Sequence, residues 1–284
     1  MMMRILYATD GSAASLAVAE FLAALPLNGD SHITVLSVAG SGDRTDAESA
    51  VEAARERLAR AGAVVETEVR PGHAVEQIVQ AAEEHSAALL AVGSQGHSAI
   101  ERLFVGSVAE RVARHAPCPV LMVRPGARQP RTVVLGLDGS ECSAFAAEWL
   151  QRSPLFPSAE IRLVTVHPLA TAPTTVSGIT LVAPLMEELQ SIEQQCHREA
   201  EEWLEKTGER FSESGWQVVK LLKRGHPAAG LLEEAEAASA DLIVVGSHGH
   251  SALDRFLLGS VSEHVLRHAP CSVLVAKKAP AQAT

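Results

Sequence analysis

Short apolar runs alternate with longer Ala- and Glu-rich stretches along the first half of the chain. The apolar runs are β-like in composition and lie at residues 5–8, 33–38, 64–69, 88–92 and 120–123. The stretches between them are helical in character and lie at residues 13–24, 46–61, 74–85 and 107–115. Such apolar runs are typical of buried strands, and the stretches are long enough to be right-handed crossovers. The pattern predicts an α/β domain with a parallel sheet.

The same unit occurs twice in the chain. Residues 93–124 and residues 246–277 are identical at 19 of 32 positions. The beginnings of the two units also correspond, since residues 4–12 and residues 132–140 each carry an apolar run that stops at Asp-Gly-Ser. An internal repeat of this kind indicates two copies of one fold. We predict two tandem doubly wound (Rossmann-like) domains, each with a five-stranded parallel sheet flanked by helices.

Turn residues and charge separate the two copies at residues 125–130, PGARQP. We place the boundary there and predict domains at residues 1–127 and 128–284. Matching residues are 128 apart at the Asp-Gly-Ser motifs but 153 apart at the later glycines, so 25 residues are added early in the second copy. We expect these to form a longer loop in the Pro- and Thr-rich segment around residues 167–184.

Each copy has three glycines and a serine between its fourth strand and the next helix. They are Gly93, Gly96, Gly106 and Ser107 in the first copy and Gly246, Gly249, Gly259 and Ser260 in the second. Glycine allows positive φ and lets backbone amides approach an anion, and the free N–H groups of a helix start favour phosphate. Ligands bind doubly wound sheets where the winding reverses, between the first and fourth strands. Asp10 and Gly93 end those strands, so we predict a phosphate site there.

Several of these residues also have structural interpretations. Ser107 and Ser260 each stand three residues before a glutamate, as in a capping box that would occupy their hydroxyls. Asp10 fits a turn residue that bonds the backbone two residues on, or an N-cap, as well as a ligand-binding residue. Arg102 and Arg255 lie between the second and third glycines, where a guanidinium would either offset phosphate charge or be solvated. The spacing matches neither a Walker A loop nor a Gly-x-Gly-x-x-Gly dinucleotide motif.

The glycine and serine spacing, with the two Asp-Gly-Ser turns, resembles the universal stress protein family, whose ATP-binding members carry Gly-2x-Gly-9x-Gly-Ser/Thr. The resemblance covers both copies. It implies that Asp10 and Asp138 hold the adenosine end of ATP, while the glycines and serines take the phosphates. It also implies that the backbone of Val38 and Val166 meets the adenine. ATP is accordingly the expected cofactor, with Mg²⁺ as the candidate cation. The resemblance further implies that the two copies pair through their last strands as a pseudo-dimer, and a homodimer of whole chains is a candidate assembly.

Composition and charge narrow the classes of partner. With 34 acidic and 24 basic residues, the chain has a formal net charge of −10 and lacks the basic footprint of a nucleic-acid-binding protein. The apolar run near the start is too short for a signal peptide or a membrane span, so we expect a cytoplasmic protein without membrane contact. The cysteines show no Cys-x-x-Cys spacing, and we interpret all four as reduced and structural. They are Cys118, Cys142, Cys196 and Cys271.

The sequence shows no catalytic constellation. It contains no Gly-x-Ser-x-Gly elbow, no paired carboxylates and no Lys-bearing phosphate loop. The His248-Gly249-His250 segment has no carboxylate or cysteine cluster to complete a metal ligand set. His115 and His268 each stand three residues before a cysteine, but at the end of the domain opposite the predicted crevice. We therefore expect buried thiols there rather than nucleophiles.

Three functions remain open at this stage. We expect an ATP-binding regulatory or stress-response protein without evident catalytic machinery. The alternatives are a slow ATPase or nucleotide-dependent transferase, and an interaction scaffold with vestigial nucleotide sites whose added loop recruits a partner. Because that loop could reach over the second crevice, we also predict that the two sites bind nucleotide with unequal affinity.

Overall fold

The computed structural model describes residues 3–40, 44–95, 105–156, 159–167, 183–249 and 258–278. Strands and helices alternate through both halves. The elements of the first half are β1 (Arg4–Ala8), α1 (Ala13–Ala23), β2 (His32–Ala39), α2 (Arg44–Arg57), β3 (Val64–Pro71), α3 (Ala74–Glu84), β4 (Leu89–Gly93), α4 (Ser107–His115) and β5 (Val120–Val123). Those of the second half are β6 (Thr132–Gly136), α5 (Glu141–Arg152), β7 (Glu160–His167), α6 (Ala183–Glu213), β8 (Gln217–Arg224), α7 (Pro227–Ala237), β9 (Leu242–Gly246), α8 (Ser260–His268) and β10 (Ser272–Ala276).

The strands in the described part of the chain form one ten-stranded sheet with the order β3-β2-β1-β4-β5-β10-β9-β6-β7-β8. Neighbouring strands within each half are parallel, which confirms the predicted doubly wound α/β fold. The two halves meet where β5 and β10 pair antiparallel, with Leu121 opposite Leu274. This is the pairing through the last strands that the family resemblance implies. It converts two apolar sheet edges into paired interior strands.

Both faces of the sheet are covered by helices, so the central strands are buried on both sides. Along β1, Ile5 and Tyr7 point into one apolar core, while Leu6 and Ala8 point into the other. Residues of α1, α2, α5 and α6 contribute to the first core, and residues of α3, α4, α7 and α8 to the second. This two-sided burial is the physical reason that the strands read as continuous apolar runs rather than as alternating patterns.

The residues added in the second copy lie between β7 and β8. Helix α6 has 31 residues, whereas the corresponding helix α2 has 14 and is followed by a short 3₁₀ turn. The predicted longer loop therefore accounts for only part of the added residues, because many of them lengthen a helix that packs Leu204 and Phe211 into the core. Residues 168–182 lie outside the described residues. Among the described helices, none combines the length and the apolar composition that crossing a bilayer requires.

Candidate functional site

The Asp-Gly-Ser turn after β1 shapes one wall of a crevice. The backbone N–H of Ser12 donates to Asp10 Oδ1 at 3.0 Å, and Gly11 has a φ of +77°, a conformation that favours glycine. Ser12 is the N-cap of α1, because its hydroxyl accepts from the backbone N–H of Ser15 at 3.2 Å. The N-cap interpretation of Asp10 is thus wrong, and the turn interpretation is confirmed. Asp10 is nonetheless exposed to the crevice.

The second copy repeats this turn with one more hydrogen bond. Both the backbone N–H and the hydroxyl of Ser140 donate to Asp138 Oδ1, at 3.0 Å and 2.6 Å. Gly139 has a φ of +79°, and Ser140 caps α5 by accepting from the N–H of Ser143. One carboxylate oxygen therefore organises the turn in each copy, and Asp138 is exposed like Asp10. A turn role and a ligand role are compatible for these aspartates.

A cavity lies at each predicted switch point, where β1 adjoins β4 and β6 adjoins β9. The first has a volume of about 250 Å³ and the second about 350 Å³. Around the first cavity lie Asp10, Val38, Gly93, Gly106 and Ser107. Around the second lie Asp138, Val166, Gly246, Gly249, Gly259 and Ser260. Every site residue predicted from the sequence is thus brought to a cavity except Gly96, which lies outside the described residues.

The first glycine of each motif is required by a close approach between elements. A Cβ atom at Gly93 would stand 2.9 Å from the carbonyl oxygen of Ala14 in α1. One at Gly246 would stand 2.7 Å from the carbonyl carbon of Cys142 in α5. Neither glycine has the positive φ that we expected, and the same holds for Gly249 and Gly259. Gly93 and Gly246 thus allow the strand ends to pack against the first turn of a helix, rather than supplying left-handed backbone.

The third glycine of each motif ends the loop and caps the next helix. Gly106 and Gly259 are the N-caps of α4 and α8, both with a φ of −66°, and among the described residues no N-cap side chain bonds either helix start. Ser107 and Ser260 are the first helical residues, and both are exposed. Of the two interpretations left open for these serines, the capping box is therefore wrong. Without a capping side chain, the N–H groups and the dipole at these helix starts favour an anion.

The glutamates of the expected capping boxes bind across the boundary between the halves instead. Arg267 of α8 contacts Glu110 of α4 and Glu263 of its own helix, each at 2.8 Å. Arg114 of α4 contacts Glu263 at 3.4 Å, which closes a network of four charges. The hydrogen bond from Arg267 lowers the pKa of Glu110. The buried amine of Lys277, just after β10, donates to the carbonyl oxygen of Arg114. Because the ion pairs run from first-turn glutamates to last-turn arginines, they join the two helices that begin at the cavities along most of their length.

The sequence alone did not identify the apolar residues that line both cavities, nor one polar residue in each cavity. Leu36, Ile78 and Val92 line the first cavity, whereas Leu137, Leu231 and Val245 line the second. These residues share the apolar pattern of the core, so no local signal separates wall from core. The missed polar position is occupied by Gln95 in the first cavity and by His248 in the second. The difference between the two copies at that position was the available signal.

Of the two cysteines next to the last strands, Cys118 is buried, as expected, and Cys271 is half-buried. Cys118 precedes β5 and Cys271 precedes β10, at the end of each half opposite the cavity. Burial raises the pKa of each thiol to about 12, so neither is a thiolate near neutral pH. The structural interpretation is wrong for Cys196, which is exposed on α6. All four described cysteines are free thiols.

The other candidate polar residues form no metal cluster within the described residues. No group of three His, Cys, Asp or Glu side chains there is arranged to hold a metal ion. His248 instead pairs its Nδ1 with the hydroxyl of Ser247 at 2.9 Å. His250, Arg102 and Arg255 lie outside the described residues.

Both halves of the chain are similar to members of one known protein family. The sequence profile of the universal stress protein family matches residues 1–124 and 130–277. A universal stress protein of Mycolicibacterium smegmatis is 32% identical over 235 residues, which cover 76% of this chain and 70% of that protein. One of Methanocaldococcus jannaschii is 34% identical over 160 residues, which cover 55% of this chain and 88% of that protein.

The fold is also similar to that of a solved structure. The crystal structure of a universal stress protein from Archaeoglobus fulgidus matches with a TM-score of 0.65 and 22% identity, over 97% of this chain and 98% of that chain. At this identity the match shows a shared fold. The family profile, in contrast, matches the sequence itself in two consecutive segments that span most of the chain. The chain therefore belongs to the universal stress protein family, as a tandem protein that contains the family unit twice.

Proposed function

We propose that this chain is an ATP-binding regulatory stress protein with one nucleotide site in each half. The observation that supports the proposal most directly is the doubled arrangement at the switch points. In each half, one cavity is lined by a strand-end aspartate, a valine near the end of the second strand, and the exposed start of a helix that follows the glycines. An apolar wall suits an adenine ring, and a helix start without a capping side chain suits phosphate.

The lack of basic side chains among the described lining residues supports a nucleotide that binds together with a cation. Among the described lining residues, neither cavity contains a lysine or an arginine. The phosphate charge would therefore be met by backbone N–H groups, by the serine hydroxyls and by the helix dipole. These partial charges are smaller than the charge of a triphosphate, so we include Mg²⁺ in the proposal as the counter-ion.

The regulatory part of the proposal rests on what the cavity helices contact. Ser107 and Ser260 begin α4 and α8 at the two cavities, while Arg114 and Arg267 near the other ends belong to the charge network between the halves. A ligand that shifts either helix along its axis would change these contacts. Nucleotide binding would then alter the surface formed by both halves, which is the property expected of a signalling protein.

Calorimetric titration of nucleotide-free protein with Mg-ATP tests this proposal. We expect binding to two sites per chain, because each half has a cavity lined by a strand-end aspartate and an exposed helix start. Asp10→Asn keeps an oxygen for the turn with Ser12 but removes the charge, so it should weaken the first site about tenfold or more without unfolding the turn. Asp138→Asn is the matched variant for the second site. Absence of ATP binding would overturn the proposal, and binding that both variants leave unchanged would overturn the aspartate assignment.

A further inference from the structure

Two histidines lie one helical turn apart on the exposed side of α8. His264 and His268 are four positions apart in the helix, so their side chains lie on one face of it, and both are exposed. Their ring centres are 4.4 Å apart, with an angle of 42° between the ring planes. Histidines at this spacing on a helix can present two imidazole nitrogens to one metal ion, as in the zinc-binding His-Glu-x-x-His motif.

The separation of the two rings is close to the one that a shared metal ion requires. With metal–nitrogen bonds of about 2.0–2.1 Å and bond angles of about 90–110°, the centres of two ligating imidazoles stand roughly 4.5–5.2 Å apart. From the observed 4.4 Å, only a small rotation of the exposed rings is needed. The backbone of α8 can keep its helical conformation when the ion binds.

No other group in the described part of the chain occupies the two rings. Neither His264 nor His268 makes a hydrogen bond or an ion pair with another described residue. Arg267, the nearest cation along the helix, contacts Glu110 and Glu263 at 2.8 Å each, which offsets its positive charge. His268 is also the last residue of α8, and the partial negative charge at a helix C-terminus favours a cation.

A third histidine lies nearby but too far away to share the ion. His226, the N-cap of α7, has its ring centre 6.3 Å from that of His264. This exceeds the separation for two rings on one ion, and no three potential ligands within the described residues are arranged around a common metal position. The pair on α8 therefore offers two protein ligands rather than three.

The first half lacks the pair because one residue differs. The positions that match His264 and His268 in the repeat are Arg111 and His115. A guanidinium stays protonated in proteins and has no lone pair to donate to a metal. Arg111 is exposed on α4 just as His264 is exposed on α8. The internal repeat thus provides a natural comparison in which one of the two ligands is missing.

We infer that His264 and His268 form a binding site for one divalent transition metal ion of the kind that prefers imidazole ligands, such as Ni²⁺, Cu²⁺ or Zn²⁺. The neutral imidazole nitrogens are the protein ligands, and water fills the remaining coordination positions. Mg²⁺ and Ca²⁺ do not fit this site, because they take oxygen ligands. The ion joins successive turns of α8, the helix whose first residue, Ser260, lines the second cavity, so its binding stabilises that helix.

Titration calorimetry with NiCl₂ tests this inference on tag-free protein without nucleotide or Mg²⁺. The wild type is compared with three variants at exposed positions. His264→Arg gives the second half the residue that the first half has, and Arg111→His makes the reverse exchange. His73→Ala is the control, because it removes an exposed histidine outside the pair. Thermal unfolding without metal checks that each variant retains its fold.

We expect the wild type to bind one Ni²⁺ ion at this site. Loss of a ligand should cost at least as much affinity as loss of an outer-shell partner, so His264→Arg should bind about tenfold or more weakly. Arg111→His should gain a second site, and His73→Ala should bind as the wild type does. Ni²⁺ should also raise the Tm of the wild type but not that of His264→Arg.

Three results would count against the inference. Absence of Ni²⁺ binding by the wild type would overturn it, and so would equal affinity of the wild type and His264→Arg. No gain in Arg111→His would overturn the claim that this position distinguishes the halves. The proposed nucleotide function is unaffected by any of these results, because the titration with Mg-ATP tests it separately.

Discussion

A carboxylate oxygen of Asp138 occupies the space in which a side chain at Gly249 would begin. A Cβ atom at Gly249 would stand 2.7 Å from Asp138 Oδ2, well inside normal contact distance. Asp138 also organises the turn that ends in Ser140. The strand-end aspartate and the middle glycine of the second site are therefore packed against each other, and a change in either one affects both.

Gly249→Ala should weaken the second site specifically. The added methyl group would displace the end of the Asp138 side chain, which can rotate, so the fold should tolerate the change. We expect ATP affinity at the second site to fall about tenfold or more, because the carboxylate loses its position. Titration calorimetry measures the effect, with Gly29→Ala as the control because a Cβ atom there meets nothing within 4 Å. Unchanged affinity at the second site would contradict the assigned role of this contact.

Gly246→Ala should reduce stability as well as binding. Here the added Cβ atom would stand 2.7 Å from a backbone atom of Cys142, which cannot rotate away as a side chain can. Accommodating it requires β9 and α5 to separate. We expect the free energy of unfolding to fall by about 1–3 kcal/mol, as for overpacked cores. Urea denaturation measures the free energy of unfolding of this variant and of Gly29→Ala, which serves as the control. Equal stability of the two variants would show that α5 moves without cost.

Lys277 should make stability rise with pH above neutrality. Burial lowers the pKa of this amine to about 8, whereas the pKa of an unfolded lysine is near 10.4. Between these values the unfolded chain binds more protons than the folded chain, so the free energy of unfolding increases with pH. The increase should reach up to about 3 kcal/mol by pH 10.5.

Lys277→Met is the matched variant, because methionine keeps much of the apolar stem and removes the titrating amine. Denaturant unfolding between pH 7 and pH 10.5 gives the stability of both proteins. The wild type should gain stability relative to the variant across this range. Parallel stability curves would mean that the amine titrates at its ordinary pKa in the folded protein.

Cys196 should react with thiol reagents well before the cysteines beside the last strands. It is exposed on α6, whereas burial raises the pKa of Cys118 and Cys271 to about 12. We expect the fastest labelling by a maleimide at pH 7 to be at Cys196 and to be absent in Cys196→Ser. Peptide mapping by mass spectrometry identifies the labelled residue. Rapid labelling of Cys118 or Cys271 in folded protein would contradict the burial described for them.

Much of the fold was predictable because its signals are local. The apolar run at residues 120–123 coincides with β5, and the helical stretch at residues 107–115 coincides with α4. Strands buried on both faces must be apolar throughout, and crossovers need a minimum length, so alternation alone predicts the topology. The Asp-Gly-Ser turns are local as well, since Asp10 bonds a residue only two positions away.

The sequence identified which residues line the cavities, but it did not show which packing contacts require those residue types. Position 93 requires glycine because α1 packs against it. The spacing of the glycines does not indicate that α1 is the neighbouring element. Ser107 fits a capping box by spacing, yet Gly106 is the N-cap and Glu110 bonds Arg267 in the other half. The capping-box spacing is a local signal, and it does not reveal that Glu110 has a partner in the other half of the folded chain.

The sequence by itself determined the repeat, the order of strands and helices, and the end of the sheet at which the cavities lie. Only the tertiary structure decided which residues face each other across them. Asp138 and Gly249 are 111 positions apart, and Glu110 and Arg267 are 157 apart. Periodicity along a chain specifies which face a residue points to, because that depends on local backbone geometry. It does not specify the contact, because that depends on how distant elements pack.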